Sequence, residues 1–157
     1  MTTFQWLLMF HITAAFLLVG GSVAAGILNT LARRAERPSE VAGLLGLIRV
    51  SLPFIFVGVA GTLVFGLWLW HERHFSFGAA WIWLSLALWV AANALGGMGG
   101  RRQTAARERA TELAAAGDEP SPELTALVRD PVSNALNYGA GLATILILVL
   151  MIWKPGS

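Results

Sequence analysis

The chain has no cysteine, which excludes disulfides, thiolate metal sites and cysteine nucleophiles and says nothing of its redox compartment. Charge is scarce too: 13% of the 157 residues are Asp, Glu, Lys or Arg against 56% hydrophobic, too little polar surface for a water-soluble domain. The long apolar runs hold no Asp, Glu or Lys at all, which argues against a carboxylate proton relay or a conventional secondary transporter. With a net charge of +2 and basic residues that flank apolar runs, the charges read as membrane topology signals, and no nucleic-acid partner is expected.

What is there is hydrophobic length. The run 4–31 has no charged residue, and its 28 positions make a helix of ~42 Å, longer than the ~30 Å hydrocarbon core of a bilayer. No Lys or Arg precedes it, and it is about twice the length of a signal peptide's apolar core, so it reads as a span. Further spans are expected at about 52–70, 79–98 and 135–153, with polar loops at 32–51 and 99–134. The expected fold is an all-α membrane protein, a single domain over 1–157 built as a four-transmembrane-helix bundle. Ser39 is a plausible N-cap for an amphipathic helix on the membrane surface, and Pro53 falls in the first turn of span two. Gly96, Gly97, Gly99 and Gly100 are expected to loosen the end of span three, after which TAARERATELAAA continues as a helix to Gly117. A short helix over 123–128 precedes the last span.

Orientation follows from the basic residues, nine of the eleven Lys and Arg lying in the loops 32–51 and 99–134. Those loops are expected inside the cell, with both termini on the outer side of the inner (plasma) membrane. Trp6, Trp68, Trp70, Trp81, Trp83 and Trp153 then all fall at the outer interface, as an aromatic belt would.

His11 is the one ionisable group in the first span. Winding the segment at 100° per residue brings Ala14, Ala15, Leu18, Gly21, Ser22, Ala25 and Asn29 to its side, and Met9, Ile12, Phe16, Val19, Val23 and Ile27 to the other. Small residues permit close helix approach where bulky aliphatics suit lipid, so the His11 face should look into the bundle. An ionisable residue at that depth is costly and commonly functional; the alternative is a neutral imidazole bonded to Thr62 or to a backbone carbonyl of a neighbouring helix. His71 and His74, beside Glu72 and Arg73, have a spacing that permits a shared metal, although such turns are common without one. Asn29, Arg49, Asn93, Asn134, Asn137 and Tyr138 gather at the opposite end, where hydrogen bonding between helices is the simpler role. Spans are expected to pack through Gly21, Ala25, Gly58, Gly61 and Gly141.

Four features together carry a resemblance: His11 followed by Gly20-Gly21 in span one, a Gly-containing second span, a basic loop before span four, and the ending Leu150-Met151-Ile152-Trp153-Lys154-Pro155. The chain resembles the uncharacterised predicted integral membrane proteins of domain of unknown function family 2269, a family whose name carries no activity. More remotely, its first span is similar to those of copper-resistance protein D and the HemJ-type protoporphyrinogen oxidases, in which a span-one histidine is associated with haem or metal. Only His11 carries over from that likeness. The lysine and arginine of a HemJ-type site have no intramembrane equivalents here.

These features set up two expectations of different class. One is a small b-type haem protein, or an accessory subunit of an electron-transfer complex, with His11 as axial ligand. His71 is then the first candidate trans to iron, Leu18 and Phe65 form an apolar wall, and Arg73 or Lys154 pairs with the haem propionates. The other is a cofactor-free structural or assembly subunit that packs against a larger membrane complex, or against copies of itself, through small-residue faces. A metal or small-molecule permease would need a polar path, and the sequence offers isolated polar patches only.

Overall fold

In the computed structural model, which describes residues 2–72 and 79–155, the chain forms five helices: α1 (Thr3–Ala32), α2 (Pro38–Glu72), α3 (Ala80–Ala115), α4 (Pro122–Val128) and α5 (Pro131–Trp153). Four stretches are long and apolar enough to cross a membrane: α1, α2, α3 and the run Pro122–Trp153 that carries α5, with mean hydropathies from 1.4 to 2.1. The protein is an all-α, multi-pass membrane protein.

Local chemistry sets the helix ends. At α1 the Thr2 N–H donates to Gln5 Oε1 (2.9 Å) while the Gln5 N–H donates to Thr2 Oγ1 (3.3 Å), a reciprocal cap that occupies donors the helix itself cannot use. Asp130 caps α5 by accepting from the N–H groups of Val132 and Ser133, with Pro131 at the first helical position, where a missing N–H costs nothing. The reversal after α3 needs left-handed backbone at Gly117 (φ 131°) and Asp118 (φ 59°).

Neighbouring spans are antiparallel. Around the molecule the order is α1, α2, α3, α5; α1 lies along α2 and α3 along α5, α2 and α3 join the two pairs, and α5 barely touches α1. The tryptophan-rich ends of the spans share one end, where the Trp70 and Trp83 rings meet edge to face at 5.9 Å and Lys154 Nζ stands 5.9 Å from the centre of the Trp81 ring. At the other, polar end Ala32, Val41, Leu45, Ile48, Ala110 and Leu124 belong to one buried core drawn from α1 to α4. Ion pairs ring that core: Arg102 to Asp130 at 2.6 Å, and Arg109 to Glu112 and to Glu123, both at 3.0 Å.

Two expectations about helix ends give way. The segment from Pro38 is not a separate surface helix but the first third of α2, and Pro53 sits deep inside that helix instead of in a first turn. The buried positions Val41, Leu45, Ile48, Ser51 and Gly58 keep one helical phase through the proline, so a single seam continues across it. Likewise Gly96, Gly97, Gly99 and Gly100 do not loosen α3, which runs unbroken to Ala115. In lipid every peptide group must bond within the helix, so continuing it costs less than exposing the backbone, even through glycine. The stop before Gly117 and the short helix before the last span stand as expected.

Candidate functional site

The seam between α1 and α2 contains His11, and it is built from positions without bulk. A Cβ added to Gly58 would lie 2.5 Å from the Leu18 backbone nitrogen, one on Gly61 2.7 Å from the Ala14 Cβ, and one on Gly21 2.8 Å from Ile55 Cγ1. The backbones therefore touch, which is how helices associate where lipid offers no hydrophobic drive. The buried α1 residues Leu7, Ala14 and Gly21 mark the strip facing α2, and His11 lies on it. Met9, Ile12, Phe16, Val23 and Ile27, on the opposite side, are exposed.

His11 is half-buried in this seam. Its ring lies over Gly66, where a Cβ would come 3.1 Å from Cε1 and 3.4 Å from Nδ1, so the missing side chain makes the notch the imidazole occupies. The ring faces the backbone carbonyl of Thr62, whose hydroxyl is turned away to donate to the Val59 carbonyl at 3.0 Å. Nδ1 is enclosed without a hydrogen bond of ordinary geometry among the described residues. A ring N–H turned to the Thr62 carbonyl leaves the other ring nitrogen with a free lone pair.

A family model described as predicted integral membrane protein (DUF2269) matches residues 5–155. The chain belongs to that family. No curated protein and no solved structure matches it. The family is the one the residues of span one and the Leu-Met-x-x-Lys-Pro ending point to; the remoter likeness to copper-resistance protein D and HemJ-type proteins gains no support from these comparisons.

In this DUF2269 protein the other candidate residues are placed as follows. His71 is exposed near the end of α2, five residues beyond Gly66, which is ~7.5 Å along the helix and turned from the notch by ~140°. Arg73 and His74 lie outside the described residues. Among those described, no group of three or more His, Cys, Asp or Glu side chains gathers in a way that could hold a metal ion. Leu18 is engaged by its backbone against Gly58, and the Phe65 ring stacks on Phe10 with 5.3 Å between centroids, so both residues serve the seam.

The polar residues of the opposite end do not converge. Asn137 turns inward onto Gly99, whereas Tyr138 and Gly141 face outward and Asn134 donates to the Asp130 carbonyl of its own helix at 2.9 Å. Asn93 likewise bonds within its helix, to the Trp89 carbonyl at 2.8 Å. Gly141 therefore does not pack a span, contrary to expectation; α3 and α5 meet instead through Gly99 with Asn137 and Gly139 with Leu95. Sequence reasoning missed Gly66, although its position five residues before His71 in a span already rich in glycine was open to the same small-residue argument.

Proposed function

We propose that this protein is a structural or assembly subunit of a plasma-membrane complex, with both basic loops inside the cell, and that His11 holds its first helical hairpin together. The observation that carries this reading is the fit of the imidazole into the Gly66 notch beside the Thr62 carbonyl: the place beside the ring is filled by a neighbouring helix. A polar ring on a helix inside a bilayer needs such a partner, and a hydrogen bond between spans is worth up to about 2 kcal/mol there. The broad lipid-facing sides, with Phe16 and Ile152 among their most exposed residues, are available to a larger partner.

One feature favours a second reading, that His11 ligates haem b. Its ring faces the Thr62 carbonyl, and an imidazole that donates one N–H to a backbone carbonyl presents its other nitrogen to a metal. An absorption spectrum of the folded protein, purified from cells supplied with a haem precursor, separates the two. A colourless protein whose thermal stability falls on His11→Ala supports the structural subunit. A Soret band that shifts on reduction and disappears in His11→Ala, with stability retained, overturns it in favour of haem.

A further inference from the structure

Among the described residues α1 and α5 barely touch, and the polar end of α1 carries arginine. Ser22, Gly26, Asn29 and Arg33 recur along α1 at spacings of four, three and four, so they form one strip. Asn29 lines a small cleft with Leu45 of α2, Arg102 and Ala106 of α3 and Ser133 of α5, so this end of the strip faces the interior of the bundle. Ser22 and Gly26 are exposed, and a Cβ on Gly26 would meet nothing within 4 Å, so the strip is a shallow trough. Four residues beyond Asn29, or ~6 Å along the helix, Arg33 stands where the apolar span ends, at headgroup depth.

There Arg33 and Arg129 flank a second cleft of about 10 Å³, whose other polar lining is Glu36 and Thr125. The Arg129 Nε–H donates to the Arg33 carbonyl at 3.1 Å, which anchors that guanidinium and leaves its terminal nitrogens free. Arg33 Nε is enclosed with no hydrogen-bond acceptor among the described residues, and neither guanidinium pairs with a carboxylate there. By contrast Arg102 and Arg109 have carboxylate partners. An enclosed cationic donor without a partner is costly, and a phosphate oxygen is a strong acceptor for a guanidinium. The cleft has room for one oxygen atom, so a phosphate can insert one oxygen and keep the rest of its headgroup outside.

We propose that Arg33 and Arg129 bind the phosphate of an anionic phospholipid, one of whose acyl chains lies along the exposed Ser22 and Gly26 face of α1. Charge complementarity selects the occupant: two arginines without carboxylate partners exceed the single Glu36 at the rim, and they stand where the apolar span of α1 ends. The site lies where the end of α1 meets the end of α4, just before α5 begins. It is independent of what His11 does.

The test uses the full-length protein in nanodiscs of phosphatidylglycerol and phosphatidylcholine, with native mass spectrometry reading retained lipid. Retention of phosphatidylglycerol over phosphatidylcholine is expected, falling about fivefold in Arg33→Gln, since one arginine near a membrane surface contributes ~1 kcal/mol. That variant keeps the Arg33 carbonyl and hence the Arg129 bond, so the fold is preserved; circular dichroism confirms it. Arg107→Gln, away from the cleft, should leave retention unchanged. Equal retention in Arg33→Gln, or an equal loss in Arg107→Gln, overturns the site, as does retention without headgroup preference, which means that the cleft holds water. Displacement of the lipid by millimolar inorganic phosphate overturns the lipid in favour of a soluble anion.

Discussion

The two ends of the molecule hold their helices together by different means. At the polar end four helices share one core of ordinary apolar side chains, ringed by ion pairs. Toward the tryptophan-rich end helices associate in pairs, and the first pair does so by close approach, Gly58 against the Leu18 backbone and Gly61 against the Ala14 Cβ. The difference follows from the solvent. Water drives apolar side chains together, so large ones are worth burying; lipid gives no such drive, so only close approach and polar contacts hold helices in register. A helix such as α2 belongs to both regimes, with Val41 and Leu45 in the core at one end and Gly58 and Gly61 in the seam further on.

The contrast is broken most severely by bulk in the seam. Gly58→Leu pushes a side chain into the Leu18 backbone, which cannot rotate away, and should cost about 3 kcal/mol or more, read as a fall in thermal stability in detergent. Gly20→Leu, on the same seam-forming helix pair but with open space around it, should stay within about 0.5 kcal/mol. Equal sensitivity at the two positions would show that the contact is not between backbones.

The next effect belongs to the polar core. Leu124 is 3% exposed, and its truncation to alanine should cost about 2–4 kcal/mol through lost burial and a residual cavity. Truncating Leu142, which is 58% exposed on α5, removes the same atoms from a lipid-facing site and should change stability in the bilayer by less than about 0.5 kcal/mol. If both truncations matter alike, Leu142 is covered by something, and the partner invoked for an assembly subunit acquires an address.

The apolar runs and the faces of α1 were legible in the sequence because both are local and periodic: His11, Ala14 and Gly21 fall inward and Phe16 and Val23 outward from winding alone. The continuity of α2 was harder to read, because proline and glycine carry their meaning from water, where they end helices. The notch at Gly66 depends on which residue of the partner helix stands opposite His11, and that register is fixed only by packing. Long-range polar contacts are less legible still. Ser39 reads locally as an N-cap, yet it lies inside the first turn of α2 and is bonded to Asp118, 79 residues further on.

That contact is the smallest effect to test, and its pH dependence sharpens the comparison, since only the polar end carries it. The Ser39 N–H donates to Asp118 Oδ1 and the Ser39 hydroxyl to Oδ2, both at 2.7 Å, so the loop after α3 caps the start of α2. The bond from the Ser39 hydroxyl, then that from its N–H, holds the Asp118 carboxyl below the usual carboxylate range, with Arg37 adding to the effect. A carboxyl depressed in the fold adds stability that is present above its unfolded value, near pH 4, and is lost as pH falls through the lower folded value. Asp118→Asn removes the charge while asparagine still tolerates the positive φ of 59°, so the backbone reversal is kept. The wild type should therefore melt slightly above the variant at neutral pH, and the gap should close in acid. A gap of constant size from neutral pH down to pH 3 would mean that the contact contributes by shape alone and that its charge is screened away by water.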